Sequence, residues 1–287
     1  MKLTESSLAQ AGPASPAAGH GTRRVVRAGR NVADRAELDE LAQEVPVALE
    51  YNGISHATLL ATPVDLEDLA YGFSFTEGII RGASDVYDLD IVETEQGLII
   101  QATIASACLN ELKLRRRSLA GRTGCGLCGI ESLDEVRRAL PPVASRAGGH
   151  DPAAIVKAAE QLRALQPLHL LTGATHAAGW ATSAGDILHV REDVGRHNAL
   201  DKLIGHMLRH SHDTADGITV ISSRASFEMV QKAAAAHMPV LVAVSAPTTY
   251  AVAMAEELNV LLAGFARENL FTVYSHPEYL GNKGAQP

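Results

Sequence analysis

Two spacings of apolar residues divide the chain. A period of two, the mark of a half-buried strand, runs through residues 45–51, and Asn52-Gly53 then predicts a hairpin turn into a second strand over 54–60. The period lengthens at Thr62-Pro63-Val64-Asp65, where a helix is expected with Leu66, Leu69, Ala70 and Phe73 on one face and Gly78 at its end. Residues 86–92 and 97–104 read as two more strands. Ser132 with Glu135 three residues on forms a capping-box pattern and predicts a short helix over 132–140. Pro141-Pro142 through Gly148-Gly149 then punctuates the chain.

Beyond that break the two spacings alternate. An Ala-rich helix is expected over 152–165, with further helices over 199–208, 227–237 and 250–258. Strands are expected at 169–171, 187–190, 218–221, 240–244, 260–262 and around 271–274. Such alternation with short links predicts a largely parallel sheet covered by helices on both faces. The expected organisation is an α/β protein in three parts: a disordered tail over 1–22, rich in Ala, Gly, Pro and Ser; a smaller N-terminal α+β domain over 23–145 that carries a Cys-x-x-Cys loop; and a C-terminal α/β domain over 150–280.

Composition narrows the class. The chain has 287 residues, 46% of them hydrophobic, and a formal charge of -8. That acidity argues against nucleic acid as a general partner. No apolar run approaches the roughly 18 residues needed to span a bilayer, so no membrane partner is expected. Three cysteines are too few for a disulfide scaffold, and the odd count suits a reducing compartment; the expected location is cytoplasmic.

Chemistry concentrates at Gly124-Cys125-Gly126-Leu127-Cys128-Gly129. Glycine on both sides of two thiols gives a backbone able to take positive φ and approach a partner closely. Five basic residues and one acid lie between Glu111 and Arg122, among them Lys113, Arg115, Arg116 and Arg117. A positive field of that kind favours thiolate. One Cys-x-x-Cys supplies only two of the four ligands of a zinc site, and no second pair exists, so no metal site is expected there. A deaminase-type site needs His-x-Glu, whereas Ala178 stands two after His176. A thioredoxin-like redox pair would open a helix near a βαβ unit. Nucleophilic sulfur handling, with a thiolate accepting sulfur as a persulfide and passing it on, is the first reading. Cys108 has apolar neighbours and is expected to be a buried small hydrophobe.

A second concentration follows the C-terminal strands. Arg224 and Ser226 lie in the link after one strand, Thr248 in the next, and Phe265, Ala266, Arg267, Glu268, Asn269 and Leu270 in the third. In a parallel sheet these links share the carboxyl edge where open α/β sheets bind ligands, and helix N-termini there favour phosphate. They read either as ordinary helix caps and solvated loops or as an anion or nucleotide pocket. The run Arg191-Glu192-Asp193-Val194-Gly195-Arg196-His197-Asn198 is either a salt-bridged turn orienting the next helix or part of a site, with Asn198 or Asp193 as cap. His176, in a small-residue loop, is either structural or faces the same pocket.

Taken together and in order, these segments resemble the formate dehydrogenase accessory sulfurtransferases, the FdhD family. The resemblance spans about residues 44–277. It rests on Ala61-Thr62-Pro63, Glu77-Gly78-Ile79-Ile80, Cys125-Gly126-Leu127-Cys128-Gly129 and Glu192-Asp193-Val194-Gly195-Arg196-His197-Asn198, and on Arg224-Ala225-Ser226-Phe227-Glu228, Ser245-Ala246-Pro247-Thr248 and Gly264-Phe265-Ala266-Arg267. It implies a C-terminal cytidine-deaminase-like three-layer domain without deaminase activity. It also implies sulfur transfer from a cysteine desulfurase to the molybdenum bis(molybdopterin guanine dinucleotide) cofactor destined for formate dehydrogenase. Cys125 matches the persulfide-carrying position, with Cys128 as a supporting thiol, and 265–270 match the cofactor-binding stretch, for which GDP is a fragment mimic. His176, Arg196, His197, Arg224, Ser226 and Thr248 are expected beside it, in a homodimer. Ser223 and Ala174 stand where glycine is usual. A non-catalytic cofactor carrier that uses its cysteines for docking is the rival reading.

Overall fold

Two long antiparallel strands, β1 (His20–Gly29) and β2 (Val32–Ala42), form a ribbon and pair only with each other. This computed structural model describes residues 19–30, 32–120, 138–144 and 149–281. Residues 20–22, expected to lie in the tail, are part of β1, and the ribbon has no strong alternation to announce it.

The Asn52-Gly53 turn joins β3 (Val45–Tyr51) to β4 (Ile54–Ala61), with φ of 50° and 75° at the two turn residues, the combination a tight hairpin needs. Helix α1 (Leu66–Thr76) follows, then β5 (Val86–Thr94) and β6 (Gly97–Ile104), giving a four-stranded sheet in the order β4-β3-β6-β5. One core closes this unit, with Leu49, Leu69, Ile100 and Ile104 buried against Cys108 and Leu112 of α2 (Ser106–Ala120).

The C-terminal unit runs α3 (Pro152–Ala164), α4 (Pro167–Thr172), β7 (His176–Ala181), β8 (Ile187–Asp193), α5 (Arg196–Arg209), β9 (Ile218–Ile221), α6 (Phe227–Ala235), β10 (Val240–Ala243), α7 (Thr249–Glu257), β11 (Leu261–Arg267) and β12 (Leu270–Ser275). Its six strands lie in the order β12-β11-β10-β9-β7-β8. Successive strand residues point to opposite faces, and both faces are buried. Ile221, Leu241 and Ala243 pack under α5, α6 and α7, while Val220, Val240 and Val242 pack under α3.

Three expectations are corrected. The sheet is mixed: β9-β10 and β10-β11 are parallel, but β7-β8, β7-β9 and β11-β12 are antiparallel. Residues 169–171 are helical, in a single turn that starts at Pro167 and ends at Gly173, whose φ of 69° suits a left-handed cap. His176 opens a strand and is not in a loop. The helix expected over 132–140 falls mostly outside the described residues, and 138–140 are not helical. No described helix is long and apolar enough to cross a membrane.

Candidate functional site

The antiparallel direction of β7 assembles the site edge. Its first residue lies beside the ends of β8 and β9, so one edge of the sheet collects the start of β7 and the carboxyl ends of β8, β9, β10 and β11. The links are laced together by their backbones. The N–H of Ser222 donates to the Ala177 carbonyl (3.0 Å), that of Ala225 to Ala246 (3.2 Å), that of Thr248 to Ala225 (3.1 Å) and that of Phe265 to Ser245 (3.1 Å). Arg224 and Thr248 are exposed on neighbouring links, and Ser226 is half-buried as the N-cap of α6. Thr248 caps α7, its hydroxyl accepting the Ala251 N–H at 3.2 Å, so at least part of its role is that of an ordinary cap.

Residues 265–270 form a hairpin and do not lead into a helix. Phe265, Ala266 and Arg267 end β11, Glu268 and Asn269 make the turn with φ of 53° and 63°, and Leu270 opens β12. Ala266 is buried; the other five are exposed. The tip projects past the end of β10, since the β10–β11 pairing stops at Ala263.

At the far side of this edge α5 begins. Its N-cap is Gly195, without a side-chain cap; neither Asp193 nor Asn198 takes that place. Arg196 follows, and its Nε is buried without a hydrogen-bond partner. His197 Nε2 lies 2.9 Å from Glu228 Oε2. Burial, ahead of Arg196, holds the His176 pKa below the ordinary value. Burial does the same at His197, with Glu228 opposing it. A helix start with free N–H groups, an unpartnered guanidinium nitrogen and two neutral imidazoles form an anion-receptive corner.

The acids of the same run act as braces. Asp193 Oδ2 takes Lys202 Nζ at 2.7 Å and the Thr62 N–H at 2.9 Å, and both charged side chains are 0% exposed. Glu192 accepts the N–H groups of Leu168 and His169 and the Thr175 hydroxyl. For Asp193, paired with Lys202 of α5, the salt-bridged-turn reading holds; Glu192 instead braces α4 and the start of β7 by hydrogen bonds alone.

Cys125 and Cys128 lie outside the described residues, but both flanks of their segment are placed. On one side Arg115 of α2 donates to the carbonyls of Glu77 (3.1 Å) and Gly78 (2.6 Å). On the other, Arg138 donates to those of Phe75 (3.0 Å) and Thr76 (2.9 Å). Two arginines thus clasp the carbonyls at the end of α1 from either side of the dithiol segment. Sequence reasoning assigned Arg115 to the field around the thiols and gave Arg138 no role; nothing local announces a carbonyl partner some sixty residues away. A cavity of about 340 Å³ starts at this clasp and reaches the site edge, lined by Phe73, Glu77, His197, Phe227, Glu228 and Lys232 among others. Cys108 is 2% exposed, and burial pushes its thiol pKa up.

Residues 42–280 match the FdhD/NarQ family. The chain belongs to that family. It is 54% identical over 244 residues to the sulfur carrier protein FdhD of Bordetella petrii, covering 85% of this chain and 87% of the relative. It is 52% identical to the sulfur carrier protein FdhD of Cupriavidus necator, covering 99% and 98%. A solved structure from Desulfotalea psychrophila, assigned as a formate dehydrogenase accessory protein, superposes with a TM-score of 0.69 over 91% of this chain and 99% of its own. At 22% identity that likeness speaks for the fold alone.

Proposed function

We propose that this protein is a sulfur carrier for formate dehydrogenase, taking sulfur as a persulfide on Cys125 and delivering it to the molybdenum bis(molybdopterin guanine dinucleotide) cofactor, its cargo. In the loading step the Cys125 thiolate attacks the outer sulfur of a cysteine desulfurase persulfide. The sulfur–sulfur bond there breaks, the desulfurase thiolate leaves, and no net oxidation occurs. Cys128 is a supporting thiol.

The observation that carries the reading is the anion-receptive corner of Arg196, His176 and His197 on the same edge as Arg224, Thr248 and the 265–270 hairpin. A guanine dinucleotide offers phosphates to the helix start and base edges to arginine and asparagine side chains. The cavity between Glu77 and His197 links the end of α1, which Arg115 and Arg138 clasp, to that edge, which supports passage of sulfur between them. Naming the relatives as sulfur carriers fits the same role. A cytidine-deaminase-like lineage for the six-stranded sheet and a homodimeric assembly belong to this proposal.

Two measurements test it. Intact mass after incubation with a desulfurase and cysteine should show one added sulfur on the parent chain and none on Cys125→Ala. Calorimetry should show GDP binding to both. Cofactor or GDP binding with no added sulfur on any thiol would replace the sulfurtransferase reading with that of a non-catalytic carrier.

A further inference from the structure

Four histidines gather near the opposite end of α5, away from the site edge. His206 and His210 lie one turn apart at the end of the helix, His212 follows two residues later, and His189 projects from β8. The helix ends in a fold-back: Ser211 takes φ of 53°, and the His212 N–H returns to the Met207 carbonyl at 2.9 Å. That cap sets the His212 ring against the others. Ring centres are 4.6 Å apart for His189 and His206, 4.5 Å for His189 and His212, and 4.3 Å for His206 and His210.

Ring nitrogens from three of the four converge, and one pair already stands at ligand spacing. One ring nitrogen from each of His189, His206 and His212 lies within 4.8 Å of the other two, the one such group among the described residues. His206 Nε2 and His189 Nδ1 are 3.1 Å apart. Two imidazole nitrogens on one zinc ion, at bonds of about 2.0–2.1 Å, stand roughly 2.8–3.4 Å apart for angles from square to tetrahedral. His210 Nδ1 donates to the His206 carbonyl at 2.9 Å, which leaves its Nε2 lone pair available.

We propose that His189, His206 and His212, with His210 as a fourth donor, form a binding site for a divalent late first-row transition ion such as Zn²⁺. All-imidazole donors suit that class and not Mg²⁺ or Ca²⁺. The surroundings say how the site adapts. Without an ion, an Arg191 N–H donates to His206 Nδ1 at 2.7 Å, so the His206 proton sits on Nε2 and points at His189. An ion at Nε2 moves that proton to Nδ1, where the Asp68 carboxylate, 3.6 Å away, takes over from Arg191 as partner. No proton is lost from the ring. The ion ties β8 to the end of the helix whose start forms the candidate site.

The test uses the full chain with Cys125 and Cys128 alkylated, so that thiolates do not compete, and stripped with a chelator. Zn²⁺ calorimetry should give one ion per chain, and Mg²⁺ should give no heat. His212 is exposed, so His212→Asn keeps the fold; it should weaken Zn²⁺ binding at least tenfold and remove the rise in Tm that Zn²⁺ gives the parent. A Co²⁺-loaded sample should show ligand-field bands without thiolate charge transfer. Failure of the alkylated chain to bind Zn²⁺, or equal affinity in His212→Asn, would overturn the proposal.

Discussion

Gly72 of α1 and Gly205 of α5 face each other where the two helices cross, and neither site has room for a methyl group. A Cβ on Gly72 would land on the Asp201 carbonyl oxygen, and one on Gly205 on that of Asp68. The obstacle is helix backbone, which cannot swing aside as a side chain would. Each Gly→Ala change should therefore destabilise the fold by about 1–3 kcal/mol or more through overpacking, despite alanine's better helix propensity. Urea denaturation of the two variants checks this; an unchanged midpoint would mean the helices do not touch.

The Asp193–Lys202 pair should be still more sensitive. Both side chains are fully buried, and Lys202 Nζ also donates to the Thr62 carbonyl at 2.9 Å. Lys202→Met leaves a buried carboxylate without its cation, which costs about 3–5 kcal/mol. Denaturant midpoints with far-UV circular dichroism measure the loss.

The clasp at the end of α1 predicts a different effect. Arg115→Gln with Arg138→Gln removes the arginine donors from four carbonyls, of which that of Phe75 keeps the Gly78 N–H. Global stability should fall by only about 1 kcal/mol per lost group. Limited proteolysis within residues 116–137 should accelerate severalfold. Equal cleavage rates in parent and variant would show that the arginines do not anchor that segment.

GDP binding should take up protons. His176 and His197 both titrate below the ordinary 6.5 in the free protein. Alone, that depression makes a contribution to stability that is present above pH 6.5 and lost as the pH falls through the unfolded value towards the folded one. A bound phosphate favours the imidazolium and raises both values, so between the free and bound pKa affinity grows as pH falls. Calorimetry near pH 6 in buffers of different ionisation enthalpy reads the uptake. Arg267→Ala should weaken binding by roughly 1.5–3 kcal/mol at any of these pH values, the range for a hydrogen bond to a charged group.

The cysteines should separate cleanly by reactivity. Cys108 is buried with a raised pKa, so iodoacetamide should leave it unmodified in the folded chain. Cys125→Ala should abolish sulfur loading with a stability change below about 0.5 kcal/mol, and Cys128→Ala should retain loading. Peptide mapping after alkylation, native and denatured, assigns each thiol.

Local pattern was enough for most elements. The Asn52-Gly53 turn, the β9, β10 and β11 strands and the helices between them were legible because turn chemistry and apolar spacing act within a few residues. So was the burial of Cys108 among apolar neighbours. What needed the tertiary structure was everything set by distant partners. The Leu-rich run at 169–171 carries no period, and the Glu192 carboxylate that receives the Leu168 and His169 N–H groups lies more than twenty residues away. The direction of β7 depends on pairing with β8 and β9, and that direction alone carries His176 to the edge shared with Arg224 and the 265–270 hairpin. Arg138 finds its carbonyls, Gly72 its facing helix, and His189 its three companions only once chain segments far apart in sequence are packed together, because backbone hydrogen bonds and close contacts between them are fixed by the assembled core and leave no local mark.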